Sequence, residues 1–211
     1  MHIAVAGNIG SGKTTLTQKL AKHYGWKAEL ESVEDNPYLQ DFYEDMHRWS
    51  FHLQVYFLNS RFQQIRAIKE SSLTVIQDRT IYEDAYIFAA NLYKSGYINP
   101  RDYQNYLGIF HSIVGTVKAP DLLIYLKADI PKLVSQIQKR GRTYEDAIRI
   151  DYLKNLNAHY EEWISGYHQG KLLVIDVNDL DFVKNVEDFA QIVNKIDVEI
   201  NGLFSQMNKR S

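Results

Sequence analysis

Cysteine is absent from the 211 residues of this chain, and proline occurs only four times. The lack of cysteine excludes disulfide bonds, Cys-ligated zinc and thiol catalysis, and it is typical of a reducing compartment, so we expect a cytoplasmic protein. Apolar runs such as Leu122–Leu126 are strand-sized, far shorter than the roughly 20 residues of a membrane-spanning helix. We expect no signal peptide, because the first predicted strand begins at His2. We therefore expect no membrane partner.

An excess of positive charge is also missing. Lys and Arg total 24 and Asp and Glu total 26, which gives a net charge of −2. A protein that coats a nucleic-acid backbone needs a basic surface, so we expect no nucleic-acid partner. The seven histidines show no metal-ligand spacing, and we predict no structural metal. Without repeats or Pro/Gly-rich linkers, the chain is expected to form one domain over residues 1–211.

Short apolar segments alternate with longer segments of helical periodicity along the chain. The predicted strands are His2–Ala6, Lys27–Glu31, Leu73–Gln77, Asp121–Lys127 and Lys171–Val177. The predicted helices are Lys13–Tyr24, Phe42–Glu70, Ile81–Lys94, Asp102–Val117, Lys132–Lys139, Ala147–Tyr167 and Val183–Leu203. This alternation favours an α/β fold with a five-stranded parallel sheet flanked by helices on both faces.

A complete phosphate-binding motif, G-x-x-x-x-G-K-[ST], lies between the first strand and the first helix. It consists of Gly7, Asn8, Ile9, Gly10, Ser11, Gly12, Lys13 and Thr14, and Thr15 follows in the helix. Glycines allow backbone N–H groups to turn towards phosphate oxygens, and the helix N-terminus adds partial positive charge. In this motif Lys13 reaches the β- and γ-phosphates, and the Thr14 hydroxyl ligates Mg²⁺. The motif predicts a nucleoside triphosphate site but does not identify the acceptor.

The acceptor has to be inferred from the rest of the chain. A GTPase carries an N-K-x-D motif, and neither Asn-Lys pair of this chain continues in that way. A motor ATPase usually has an acidic pair after an apolar strand, whereas here the third strand is followed by Asp78 and Arg79. The acidic–basic pair and the chain length favour a small-molecule kinase.

Asp78-Arg79-Thr80 resembles the D/E-R-S/T signature of the deoxyribonucleoside kinases, and further segments match that family in order. They are Glu31-Ser32-Val33, Glu34 to Leu39, Arg48 to Gln54, Gln77 to Asp84, and Arg140-Gly141-Arg142 followed by Glu145. The similarity runs from Ile3 to about Phe182, and several segments are especially similar to the bacterial deoxyadenosine/deoxycytidine kinases. It implies a P-loop kinase fold with a small lid at about residues 140–146. Ser32 departs from the family, which has proline there.

The resemblance assigns catalytic roles to Lys13, Glu31 and Arg79. It implies that Glu31 is the base for the 5′-hydroxyl, and a carboxylate is suited to orient that group and take its proton. Arg79 is expected to hold Glu31 and the acceptor oxygen, and Asp78 to assist Mg²⁺ through water. Without the resemblance, a solvated loop residue is an equally good interpretation of Glu31. The corresponding alternative for Asp78 and Arg79 is a surface ion pair at a strand end. The strand that ends at Glu31 is expected to begin beside the strand preceding the phosphate loop.

The resemblance also implies a set of nucleoside-binding residues. The amide of Gln54 would bond a base edge that carries both a donor and an acceptor, and Arg61 with Asp84 would complete that contact as a charge-assisted pair. Tyr43 resembles the family's 3′-hydroxyl ligand, with Glu145 as its partner. Without the resemblance, the alternatives are a capped or solvated helix residue for Gln54 and an ordinary buried or interhelical ion pair for Arg61 and Asp84. Tyr43 alone would more often be a core residue.

Arg140 and Arg142 belong to a Lys-Arg-Gly-Arg run after a predicted helix. Such a run is usually a solvated helix end. The resemblance implies that it is instead a lid that binds ATP and neutralises charge on the transferring phosphoryl group.

The motif and the resemblance together predict a homodimeric salvage enzyme that uses ATP and Mg²⁺ to phosphorylate the 5′-hydroxyl of a deoxyribonucleoside. Deoxyadenosine is expected first and deoxycytidine second. Three alternatives remain open: a nucleoside monophosphate kinase in which Arg48 or Arg66 binds the acceptor phosphate, a kinase that prefers deoxyguanosine, and an ATP-binding regulatory protein without catalysis.

Overall fold

A five-stranded parallel sheet forms the centre of the computed structural model, which describes residues 1–31, 36–142, 145 and 148–207. The strands are β1 (His2–Gly7), β2 (Lys27–Glu29), β3 (Val75–Asp78), β4 (Leu122–Lys127) and β5 (Lys171–Asp176). Their order in the sheet is β2-β3-β1-β4-β5, and every neighbouring pair is parallel. The predicted α/β fold with five parallel strands is confirmed.

Helices connect successive strands. They are α1 (Lys13–Tyr24), α2 (Leu39–Glu44), α3 (Met46–Glu70), α4 (Ile81–Glu83), α5 (Ala90–Lys94), α6 (Pro100–Val114), α7 (Ile130–Arg140), α8 (Ile150–Ser165) and α9 (Val186–Met207), and a π-helical segment, Asp84–Ala89, joins α4 to α5. No helix in the described part of the chain is long and apolar enough to span a membrane.

The two faces of the sheet are covered by different helices because side chains alternate along each strand. On one face, Ile3 and Val5 of β1 pack in a core with residues of α1, α7 and α9. On the other face, Ala4 and Ala6 pack in a core with residues of α8. Burial on both faces explains why β1 and β4 are continuous apolar runs.

The predicted helix Phe42–Glu70 is wrong, because the structure divides this stretch into α2 and α3. Asp45 separates them with φ −142° and ψ 87°, outside the helical region. Its carboxylate accepts a hydrogen bond from the Arg48 backbone N–H at 3.1 Å, so it caps the N-terminus of α3.

The predicted position of β2 is also wrong. This strand ends at Glu29 and pairs with β3, so it does not lie beside β1. The reason is hydrophobicity: Val75 and Ile76 of β3 are fully buried, whereas Lys27 of β2 is exposed. The more apolar strand occupies the inner position, and the short polar strand is left at the edge.

Candidate active site

Three chain segments that leave the carboxyl ends of neighbouring strands meet at the carboxyl end of the sheet. β1 leads into the phosphate loop, β3 ends at Asp78, and Glu31 follows β2. Parallel α/β sheets bind ligands at the carboxyl ends of their strands. Ser32 and Glu34, next to the predicted base, lie outside the described residues, as do Thr143, Tyr144 and Asp146 of the predicted lid.

The phosphate loop has the backbone geometry that its motif predicts. Gly10 and Gly12 have φ of +84° and +92°, which favour glycine, and the Lys13 ammonium donates to the Asn8 carbonyl at 3.1 Å. The Asn8 side chain donates to the Leu153 carbonyl at 3.1 Å and thereby ties the loop to α8. Burial, helped by the nearby Arg79 charge, lowers the pKa of Lys13 to about 8.

The two residues predicted to hold Mg²⁺ are in direct contact. The Thr14 hydroxyl donates to Asp78 Oδ2 at 2.5 Å, and the other carboxylate oxygen, Oδ1, is buried without a hydrogen-bond partner. Hard oxygen donors of this kind suit Mg²⁺, which usually takes one or two protein ligands together with phosphate oxygens and water. This pair therefore fits the ion.

Glu31 lies between two buried arginines. Its Oε1 accepts from Arg61 Nη2 at 2.5 Å and pairs with Arg79 Nε at 3.2 Å. Burial alone would raise the pKa of this carboxyl, but the charges of Arg79, Arg61 and Lys13 outweigh it and lower the pKa to about 2. Glu31 is therefore ionised at neutral pH, and the predicted contact between Glu31 and Arg79 is present.

Arg79 has an unusual backbone conformation. Its φ is +70°, and no other non-glycine residue in the described ranges has a positive φ. Such a conformation is costly for a large side chain, and it persists only where the surroundings fix it. The guanidinium lies 4.3 Å from the ring centre of Phe88 and donates to the Tyr160 hydroxyl at 3.4 Å. Both contacts hold the side chain towards Glu31.

Arg61 and Asp84 form the predicted ion pair, with Arg61 Nε 3.3 Å from Asp84 Oδ2. Arg61 is only 1% exposed and, although predicted to contact the base, does not line the inner cleft described below. Its contact with Glu31 was not predicted from the sequence. Burial raises the pKa of Asp84 to about 7, against the opposing charge of Arg61. Asp84 begins the π-helical segment, after Thr80 and Glu83 form a capping box at the start of α4.

An inner cleft of about 870 Å³, partly open to solvent, contains most of the predicted nucleoside-binding residues. Its polar lining includes Glu31, Tyr43, Gln54, Asp84 and Glu145. Gln54 is buried, and its side-chain oxygen has no hydrogen-bond partner, so it is available to a ligand. Both Tyr43 and Glu145 line this cleft, and the predicted partnership between them stays a prediction.

The apolar walls of the inner cleft were not predicted from the sequence. They are formed by Leu39, Phe42, Leu53, Phe57, Phe88 and Tyr152. Helical periodicity does not distinguish a residue of the core from one of a cleft wall. An apolar lining of this kind suits the faces of a nucleobase.

The arginines of the predicted lid pair with Glu145. Arg140 donates to the two carboxylate oxygens at 2.9 and 2.5 Å, and Arg142 Nη1 lies 3.6 Å from Oε1. Both arginines line the inner cleft and also an outer cleft on the far side of the phosphate loop. The two clefts meet at Lys13 and Thr14.

Sequence reasoning also missed the wall of the outer cleft. Beyond the loop residues and the two arginines, it is lined by Lys132, Gln136, Lys139, Val177, Leu180, Asp181, Phe182 and Val183. The Phe182 ring lies so close to Gly12 that a Cβ there would meet it at 2.8 Å. A long-range contact of this kind has no local sequence signal.

Comparisons with known proteins agree with this geometry. The chain matches the family model described as deoxynucleoside kinase over residues 3–201. It is 41% identical over 196 residues to the deoxyadenosine/deoxycytidine kinase of Bacillus subtilis (strain 168), covering 92% of this chain and 90% of that protein. It is 37% identical over 203 residues to the deoxyguanosine kinase of Lactobacillus johnsonii, with coverages of 92% and 90%.

A solved structure has the same fold. The deoxyadenosine kinase from M. mycoides with products dCMP and a flexible dCDP bound is 32% identical and gives a TM-score of 0.84, covering 94% of this chain and 100% of that one. The family match spans nearly the whole chain and includes the phosphate loop, Glu31 and the cleft between them. The chain therefore belongs to the deoxynucleoside kinase family.

Proposed function

We propose that this enzyme transfers the γ-phosphoryl group of ATP to the 5′-hydroxyl of a deoxyribonucleoside, with deoxyadenosine favoured over deoxycytidine. The observation that carries the proposal is the position of Glu31. Its carboxylate lines the inner cleft together with Lys13 and Thr14, and those two residues also line the outer cleft. A hydroxyl bound at Glu31 therefore faces the end of a triphosphate held by the loop.

In this mechanism Glu31 orients the acceptor hydroxyl and receives its proton. A carboxylate whose pKa is about 2 accepts a hydrogen bond readily but takes a proton only late, as the phosphoryl group arrives. That order suits phosphoryl transfer, in which the transition state is loose and positioning dominates. Arg79, beside Glu31, is placed to keep the carboxylate aimed at the hydroxyl.

On the donor side, Lys13 and the loop N–H groups bind the β- and γ-phosphates of ATP in the outer cleft. Thr14 and Asp78 would hold Mg²⁺, directly or through water, and the ion would neutralise phosphate charge. Arg140 and Arg142 reach both clefts, so they are placed to bind the transferring group once Glu145 releases them.

On the acceptor side, Gln54 and Asp84 read the base edge, and Arg61 supports them from behind. Adenine and cytosine both present a ring-nitrogen acceptor beside an amino donor, which a Gln amide matches with its NH₂ and its carbonyl. Tyr43 and Glu145 would bind the 3′-hydroxyl. A thymine edge reverses the order of donor and acceptor, and because an amide can flip to match it, Gln54 alone does not discriminate. In this proposal the fixed Arg61–Asp84 pair supplies the discrimination, since leaving a buried polar group unpaired costs about 1–3 kcal/mol.

Substitution of Glu31 tests this function. Glu31→Gln keeps the size and one hydrogen bond but removes the proton acceptor, so we expect turnover to fall on the order of 10²-fold or more. Nucleoside binding, measured by calorimetry, should be largely kept. The matched control is Glu29→Gln, at the end of β2, which pairs with Lys27 and lines neither cleft. Turnover of Glu31→Gln equal to that of the control would refute the proposed base.

A nucleoside monophosphate kinase is the weaker candidate. Arg48 and Arg66, the residues considered for an acceptor phosphate, are both exposed and line neither cleft. Parallel assays with nucleosides and with their 5′-monophosphates separate the two functions, and we expect phosphorylation of the nucleosides only.

We also propose that the enzyme is a cytoplasmic homodimer. Support for the dimer comes from an open groove between the π-helical segment and α8, lined in part by Tyr86, Tyr103 and Trp163. Aromatic side chains at a surface groove are typical of protein interfaces. Sedimentation equilibrium should give twice the mass of one chain.

A further inference from the structure

An amide side chain behind the catalytic carboxylate is bonded at both of its ends. Gln64 lies on α3, one turn beyond Arg61, and lines neither cleft. Its Oε1 accepts from Arg61 Nη1 at 3.0 Å and from Gln77 Nε2 at 3.1 Å. Its Nε2 donates to the Leu30 carbonyl at 2.8 Å. The sequence motifs give this residue no role.

The chemistry of the partners fixes the orientation of this amide. A guanidinium can only donate and a backbone carbonyl can only accept, so the oxygen of Gln64 must face Arg61 and its nitrogen must face Leu30. A carboxylate at this position would lack the donor, and an ammonium would lack the acceptor. An amide is the neutral side chain of this length that serves both partners.

Both partners of Gln64 control Glu31. Leu30 immediately precedes Glu31, so the bond to its carbonyl fixes the backbone from which the carboxylate projects. Arg61 uses its second terminal nitrogen, Nη2, to bind Glu31 Oε1 at 2.5 Å. We propose that Gln64 is a positioning residue, which holds Glu31 through its backbone and through Arg61 together; the proposal rests on the function proposed above for Glu31.

The far side of the amide is anchored as well. Gln77 is 1% exposed, and its Oε1 lies 3.0 Å from His2 Nε2. Because Gln77 Nε2 donates to Gln64, its oxygen faces His2 and accepts the ring N–H. Burial lowers the pKa of His2 to about 4, so the ring is neutral at physiological pH. The anchor therefore connects β1 and β3 to α3 through Gln64.

Charged groups surround the carboxylate that this network holds. Arg61 faces Glu31 from α3, Arg79 from the end of β3, and Lys13 from α1, while Asp84 lies on the far side of Arg61. A shift of Arg61 away from Glu31 would misplace the carboxylate relative to the acceptor hydroxyl. Misplacement by about 1 Å is enough to cost on the order of 10²-fold in rate.

The test compares two substitutions with a matched control. Gln64→Met keeps the length of the side chain without its hydrogen bonds, and Gln64→Glu keeps the shape and the acceptor but loses the donor to Leu30. Gln63→Met, on the exposed neighbour in the same helix, is the control. The measurements are kcat at saturating nucleoside and ATP, the KM for ATP, and the thermal unfolding midpoint. Expressing kcat per titrated ATP site corrects for any unfolded fraction.

We expect kcat to fall about tenfold for Gln64→Met and further for Gln64→Glu, with the KM for ATP within about twofold of wild type. Gln64→Glu is expected to be worse because its carboxylate competes with Glu31 for Arg61 and repels the Leu30 carbonyl. A merely structural role instead predicts that kcat per titrated ATP site stays at the level of Gln63→Met in both variants, since it would lower only the folded fraction. If Gln64→Met does not fold, the nearly isosteric Gln64→Glu carries the test alone against wild type.

Two results would overturn the positioning role: kcat within twofold of Gln63→Met for both variants, or a milder loss for Gln64→Glu than for Gln64→Met. Glu31→Gln is assayed in parallel to separate this proposal from the proposed function. If Glu31→Gln is inactive and the Gln64 variants are unaffected, only the positioning role of Gln64 is refuted. If Glu31→Gln keeps wild-type turnover, both the proposed function of Glu31 and the positioning role of Gln64 are refuted, because no catalytic carboxylate would then need positioning.

Discussion

At the scale of single residues, the site is a set of opposed charges held away from water. Arg61 and Asp78 are each 1% exposed, and Glu31 is ionised because the charges of Arg79, Arg61 and Lys13 outweigh the effect of burial. In such a cluster, deleting one member leaves a partner charged and unpaired, which is more damaging than the pair itself is stabilising. Each side chain is thus oriented before the substrate arrives.

Residue identities were predictable where a motif carries them. Lys13 and Thr14 were predicted from the phosphate-loop motif, and Glu31 and Arg79 from the family resemblance. In the structure, all four residues line the inner cleft. The hydrogen bonds of Gln64 could not be predicted, because they depend on how α3 packs against β2 and β3.

The low pKa of Lys13 gives a prediction at this scale. Burial lowers the pKa to about 8, so about half of the unbound enzyme has a neutral lysine at pH 8. Bound phosphates favour the charged form, so ATP binding should take up about half a proton at pH 8 and almost none at pH 6. Calorimetry in two buffers with different ionisation enthalpies measures this uptake. It should vanish in Lys13→Met, and uptake that is the same at both pH values would contradict the argument.

At the scale of secondary-structure elements, the site depends on where helices and strands end. The strands were predicted to within about two residues, because their apolar runs and the loops beyond them are visible in the sequence. The break between α2 and α3 at Asp45 was missed, because apolar residues continue at helical spacing across it. The capping interaction of Asp45 with Arg48 N–H is a local signal that could have located the break.

Gly12 gives a prediction at the element scale. It lies at the junction between the phosphate loop and α1 with φ +92°, and a Cβ would meet the Phe182 ring at 2.8 Å. Gly12→Ala should therefore strain the loop and raise the KM for ATP about tenfold or more, as measured by steady-state kinetics. Gly108→Ala, in α6 with open space around the glycine, is the control and should leave the KM unchanged. An unaltered KM for Gly12→Ala would show that the loop tolerates a side chain there.

At the scale of the whole molecule, two clefts border the phosphate loop and share several lining residues. Lys13, Thr14, Arg140 and Arg142 belong to both clefts, so a donor in one and an acceptor in the other would share these groups. The α/β class followed from the alternation of elements. The order of the strands did not, because it depends on the relative burial of β2 and β3 within the finished sheet.

The central claim is tested most directly by turnover with ATP on deoxyadenosine, deoxycytidine, deoxyguanosine, thymidine and the ribonucleosides, each at the same concentration. We predict deoxyadenosine first, deoxycytidine second, deoxyguanosine weak and thymidine weakest, with preferences of about tenfold or more since each unpaired polar group in the cleft costs about 1–3 kcal/mol. Deoxyguanosine in first place would keep the reaction and change only the base preference. Thymidine in first place, or no 5′-monophosphate from any deoxynucleoside, would contradict the account.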